Sequence, residues 1–296
     1  MNIGLIDVDN TAFPNLALMK LSAWHKKQGD TVEMYMPMMR FTYDKVYASA
    51  VFPTCRPKTN IDQIPSEALR GGPGFDLTTT LPDDVEHCCP DYSLYNIEDT
   101  AYGFSTRGCI RKCSFCIVPK KEGRVRCNAD VSEFWNGEKN IILLDNNILA
   151  HSHGLKTLEY LASQNVTVDC NQGMDARLVT PEIAKIIASV KWDKIRFSMD
   201  HKDTIDAVKR AVTLTRRAMG KQGNFFCYVL SEDPDEAMLR VKECLDIKIS
   251  PFVQPYREPG TWEISRENML FARYCNRHKT LHSCTWAEFK AANGLK

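Results

Sequence analysis

The chain reads as an α/β protein of parallel strands in two unequal parts. Two observations predict this. Within about the first 75 residues the apolar pattern runs strand, helix, strand, strand, and from residue 101 six short apolar runs alternate with helix-like segments. A strand that is followed by a crossover helix and a further strand of the same sheet returns parallel to the first.

Taken in order, residues 2–8 form a buried strand, and residues 14–27 a helix that carries Leu16, Met19, Leu21 and Trp24 near one face and closes at Gly29. Residues 31–35 and 45–52 are further strands, and residues 68–72 another that ends in the turn Gly71-Gly-Pro-Gly74. Residues 78–99 lack periodicity and make an irregular connector. The later strands are expected at residues 101–106, 140–144, 166–170, 194–199, 224–230 and 249–254, with helices at 155–163 and 181–189 between them. A last helix at 265–277 is placed to cover an open sheet edge.

With 296 residues, 44% hydrophobic and 25% charged, the chain can bury a sizeable core and shows no low-complexity tract or repeat. A net charge of +1 gives no global attraction for nucleic acid or membrane, so any polyanion would have to meet a local patch. No run approaches the roughly 20 apolar residues that span a bilayer, and the start lacks a signal peptide's basic and apolar regions, so a cytoplasmic protein is expected. Twelve cysteines in such a chain are expected to be free thiols and metal ligands rather than disulfides.

Three of them, Cys109, Cys113 and Cys116, stand in Ser105-Thr-Arg-Gly-Cys-Ile-Arg-Lys-Cys-Ser-Phe-Cys-Ile117. Three thiolates on one loop can hold three irons of a 4Fe-4S cluster and leave the fourth open, whereas an electron carrier normally caps every iron with cysteine. A structural zinc site with Cys127 as fourth ligand is the alternative use of these thiols. Cys275, His278, His282 and Cys284 make a second candidate metal set, although their spacing matches no common zinc pattern. Seven basic residues surround the first loop (Arg107, Arg111, Lys112, Lys120, Lys121, Arg124 and Arg126) against Glu122 alone. Such a patch can receive nucleic-acid phosphates or an acidic electron donor, or simply balance an anionic cluster.

The cysteine spacing, with Phe115 before the third thiol, resembles the cluster motif of the radical S-adenosylmethionine (SAM) superfamily. The resemblance implies a partial (βα)6 TIM-type barrel over residues 100–260, a connector at 81–99 and a helical tail at 261–296. Residues 1–80 resemble a shrunken, Rossmann-like form of the cobalamin-binding domain that precedes the barrel in many members. Cobalamin itself is not expected, because the loop Asp7-Val-Asp-Asn-Thr-Ala-Phe-Pro14 lacks the histidine that replaces its lower ligand.

In that family the open iron chelates SAM, and reductive cleavage yields a 5′-deoxyadenosyl radical that takes hydrogen from a substrate. A flavodoxin- or ferredoxin-type electron donor is then implied. Cys109, Cys113 and Cys116 would bind iron, and Phe115 would lie by the adenine. Asp145 or Asn146 would accept from the SAM ammonium where many members carry two glycines and a glutamate. Arg177 suits a carboxylate, with Asn171, Gln172 and Asp175 beside it; a structural Arg177 to Asp175 pair and an Asx turn at Asn147 are the plain alternatives. Ser198 and Asp200 share one strand face and would meet ribose hydroxyls, and Gln254, Tyr256 and Arg257 would face the substrate or seal the barrel. The substrate stays open among a tRNA base, a peptide and a small metabolite. A methylthiotransferase-like activity, a non-catalytic iron-sulfur protein and a SAM-binding module are the other readings.

Overall fold

The structure, a computed structural model, describes residues 1–52, 64–258 and 262–295. It is a mixed α/β chain with several parallel sheets. The first sheet contains β1 (Asn2–Asp7), β2 (Thr31–Met34), β3 (Lys45–Ser49) and β4 (Leu69–Gly71), parallel throughout and in the order β2-β1-β3-β4. Helix α1 (Leu16–Lys27) crosses from β1 to β2. Its cap is Asn15, which accepts from Leu18 N at 3.2 Å and donates from Nδ2 to Ser49 Oγ at 2.9 Å, so the helix start is pinned to the end of β3.

α1 is less amphipathic than its apolar residues suggest, because it is buried on more than one side. Leu18 and Leu21 pack on Ile3 and Leu5 of the sheet, while Met19 belongs to the core of the following unit. The opposite sheet face is covered by Tyr35 and Tyr43, whose rings would lie 3.0 to 3.1 Å from a Cβ at position 4; Gly4 leaves room for them. β3 ends earlier than its apolar run because the amides of Val51 and Phe52 turn to Asp9 Oδ2 at 2.5 and 3.3 Å. The connector holds the short helix α2 (Asp83–Glu86) and a 3-10 turn at Tyr92–Tyr95.

The second unit opens with β5 (Thr100–Gly103) and the two-residue strand β6 (Thr106–Arg107); then come α3 (Val118–Lys121) and β7 (Arg126–Cys127), which pairs antiparallel with β6. The strand expected at 101–106 is thus broken at Ser105. The cause is Asp145, whose carboxylate takes the amides of Ser105 and Thr106 at 3.0 and 2.5 Å.

Regular alternation follows through β8 (Asn140–Leu143), α4 (Ser152–Ala162), β9 (Thr167–Cys170), α5 (Pro181–Ser189), β10 (Ile195–Ser198), α6 (Ile205–Met219), β11 (Phe225–Ser231), α7 (Pro234–Asp246) and β12 (Ser250–Pro255). β5, β8 and β9 form one parallel sheet, and β10, β11 and β12 another. The two meet at a parallel bridge between Met174 and Phe197, where Met174 N donates to Arg196 O at 2.8 Å.

The tail makes three helices where one was expected: α8 (Arg266–Cys275), α9 (His278–Ser283) and α10 (Trp286–Ala292). α8 lies against the edge strand β12, and Asn276 after it completes that edge, accepting from Val253 N at 2.7 Å and donating to Val253 O at 2.9 Å. Among the described residues no helix is long and apolar enough to cross a membrane.

Candidate functional site

A cavity of about 1950 Å³ lies where the carboxyl ends of the strands of both units face one another. Asp7, Asp9 and Ser49 line one wall; the other wall takes its residues from the ends of β8 through β12. Cys109, Cys113, Phe115 and Cys116 enter it on the loop between β6 and β7. The β6–β7 pairing closes the base of this loop, and Gly108 makes the closure possible. Its φ is +86°, and a Cβ there would come within 2.3 Å of Arg124 O.

Burial pushes the thiols of Cys113 and Cys116 up, and the loop's other thiols add to it as like charges. These two thiols give up their protons readily only to a metal or cluster that supplies positive charge. Cys109 Sγ accepts from Arg111 N at 3.3 Å and from Asn147 Nδ2 at 3.4 Å. Asn147 Oδ1 is buried without a hydrogen-bond partner. Three thiols on one loop at a cavity are a donor set of the chemical kind that an iron-sulfur cluster takes.

Cys127 is exposed on β7, and its thiol, pushed up by slight burial, feels Asp130 and Glu133 rather than the loop cysteines. Among the described residues no group of three or more His, Cys, Asp or Glu converges on a single metal ion. That includes the tail set, where the rings of His278 and His282 lie tilted against each other with centroids 4.3 Å apart.

The expected SAM-binding residues are not all brought to the cavity. Asp145 is 2% exposed and saturated, accepting from the amides and hydroxyls of both Ser105 and Thr106. It ties the end of β8 to the end of β5 and does not face the cavity. Asn146 lines the cavity but uses Oδ1 to accept from Gly108 N at 2.9 Å. Asn147, next in the chain, is the one of the three that keeps a buried side-chain oxygen without a hydrogen-bond partner.

Arg177 lines the cavity and is engaged with Asp175, from Nε at 2.7 Å and Nη2 at 3.3 Å, which is the structural pair read as its plain alternative. Arg111 of the thiol loop joins them, its Nε 2.8 Å from Asp175 Oδ2. Burial works to raise the Asp175 carboxyl, but the two guanidinium groups outweigh it and hold it below the usual carboxylate range.

Ser198 and Asp200 both line the cavity. Burial pushes the Asp200 carboxyl up to about 6, against the opposing pull of His201, Arg240 and Arg177. Phe115 lies against His201, ring centroids 5.6 Å apart. Gln254 and Arg257 also line the cavity, and with Tyr256 and Trp262 they border a side pocket of about 300 Å³.

Three polar residues of the cavity were missed. Arg196 forks onto Asp169 through two contacts of 2.6 Å, and Tyr228 donates to Asn171 O at 2.6 Å. Strand alternation held the signal for Arg196, which shares a face with Ser198 and Asp200.

The basic loop proves largely compensated. Arg107 lies over the Phe104 ring and pairs with Glu86 at 2.8 Å and Glu122 at 3.1 Å, while Arg126 meets Glu122 and Lys121 donates to Thr79 O. With Arg111 on Asp175, only Lys112, Lys120 and Arg124 are left as exposed cations without a partner among the described residues.

Comparison of the chain with protein-family models and with curated proteins gives no match.

Proposed function

We propose that the chain is a radical SAM enzyme. The observation that carries this reading is the placement of three thiols of one loop at the cavity into which the carboxyl ends of successive parallel strands open. Cys109, Cys113 and Cys116 would hold three irons of a 4Fe-4S cluster. When bound with SAM, that group supplies reductive cleavage to a radical able to remove hydrogen from a substrate. The chain's part is to bind, to orient and to exclude water.

On this reading the two three-stranded sheets are halves of an open six-stranded barrel whose last edge is covered by α8. Phe115, Asn146, Ser198 and Asp200 would border SAM, and Arg177 would present its free donors to an anionic group. The wall bearing Asp7 and Asp9 would face the substrate. An acidic electron donor of the flavodoxin or ferredoxin type fits the exposed Lys112, Lys120 and Arg124. The internal pairing of the other four cations weakens the case for nucleic acid at this loop.

Anaerobic reconstitution with iron and sulfide, followed by dithionite and SAM, tests the proposal. Close to four irons per chain and formation of 5′-deoxyadenosine are expected. Iron without cleavage, under conditions in which an established radical SAM enzyme turns over, would remove the catalytic reading. Zinc bound in place of iron, with Cys127 required, would remove the cluster.

A further inference from the structure

We infer that Asn147 is a positioning residue that raises the reduction potential of the cluster through its hydrogen bond to the Cys109 sulfur. The inference rests on the cluster reading of Cys109, Cys113 and Cys116 and deepens it. Asn147 is 3% exposed, and its Nδ2 lies 3.4 Å from Cys109 Sγ.

The structural use of such a residue would be to cap the 3-10 turn Ile148–Ala150 that follows it, yet its side chain makes no capping bond there. The amide thus serves the sulfur and leaves Oδ1 without a partner. A metal-bound thiolate only accepts hydrogen bonds, so the NH2 end must be the end that faces it. An N–H dipole aimed at sulfur stabilises the more electron-rich, reduced cluster more than the oxidised one. Hydrogen bonds to the sulfurs are among the factors that set the potential of such clusters. Arg111 N donates to the same atom, and the backbone of Val118 hydrogen-bonds Cys116, so Asn147 is the side-chain donor in a set otherwise supplied by the backbone.

The test compares the reconstituted full-length chain with Asn147→Leu, near in volume and without donor or acceptor, and with Asn147→Asp, which keeps the shape but removes the donor. Iron content, circular dichroism and a redox titration followed by electron paramagnetic resonance are measured on all three. Both variants are expected to keep their iron and fold and to shift the midpoint to more negative potential, Asn147→Asp further because it adds negative charge. Equal potentials in all three chains would overturn the inference and leave the cluster reading intact. Loss of iron or of fold in both variants would also overturn it, since Asn147 would then hold the loop rather than tune it. A wild-type chain with no four-iron signal would overturn the cluster reading and this inference with it.

Discussion

Arg111, in the gap between Cys109 and Cys113, donates from Nε to Asp175 Oδ2 at 2.8 Å and so ties the thiol loop to the turn after β9. Arg177 holds the other oxygen at 2.7 Å, which makes Asp175 the shared anchor of two cations. Substitution Asp175→Asn halves the acceptor capacity and removes the charge. Because Arg111 is about a third exposed, water compensates part of the loss, and a fall of about 1–2 kcal/mol in urea unfolding is expected. Iron retention during gel filtration should drop more than stability does, since the loop loses its tether to β9. Unchanged retention would sink the tethering role.

Asp145 is expected to be structural in every readout. Asp145→Ala strands the amides and hydroxyls of Ser105 and Thr106 in a dry site and should cost about 3–5 kcal/mol. Asp145→Asn keeps one acceptor oxygen and should cost less. Chemical denaturation of the two variants orders them; equal stability to wild type in Asp145→Ala would contradict the clamp.

Gly108→Ala tests the base of the loop. With φ at +86° and Arg124 O at 2.3 Å from the new methyl, the β6–β7 closure has to shift. Reconstituted iron per chain should fall well below wild type, with the thermal midpoint lowered by a few degrees, about 1–2 kcal/mol.

Glu86 joins the two units through Lys20 of α1 and Arg107 of β6. Burial works to raise its carboxyl, but Arg107 and Lys20 prevail and hold it below the ordinary 4.5. A depressed carboxylate contributes its stability in full above the unfolded value and loses it as pH falls through the folded one. Wild type should therefore lose stability as pH falls below about 4.5, and Glu86→Gln should show a shallower loss there. At neutral pH the same variant leaves the nearly buried Lys20 short of a counter-ion, at a cost of about 3–5 kcal/mol. Parallel melting curves of the two chains across acid pH check both effects.

The legible part of the molecule was the part governed by short-range pattern. Hydrophobic period placed the strands from residue 101 onward and the crossover helices expected at 155–163 and 181–189 to within a few residues, because each strand needs a buried run and each crossover an amphipathic one. Spacing brought Cys109, Cys113 and Cys116 to one loop, since residues three and four apart cannot separate far. Alternation put Ser198 and Asp200 on the cavity side.

What the sequence could not allot was the division of labour among chemically similar neighbours. Asp145, Asn146 and Asn147 are adjacent acceptors, and nothing local distinguishes them. The partners that do are about forty residues away in sequence: Ser105 and Thr106 consume the first, Gly108 takes the second, and the third is left with Cys109. The same holds for the cations of the loop, which read as an open patch until Glu86, Glu122 and Asp175 folded onto them. The sequence alone thus determined an α/β chain of parallel strands with three thiols on one loop. Tertiary structure decided which polar groups are spent on holding that loop and which remain to face a ligand, because a hydrogen-bonding group is used up by whatever partner the fold packs against it.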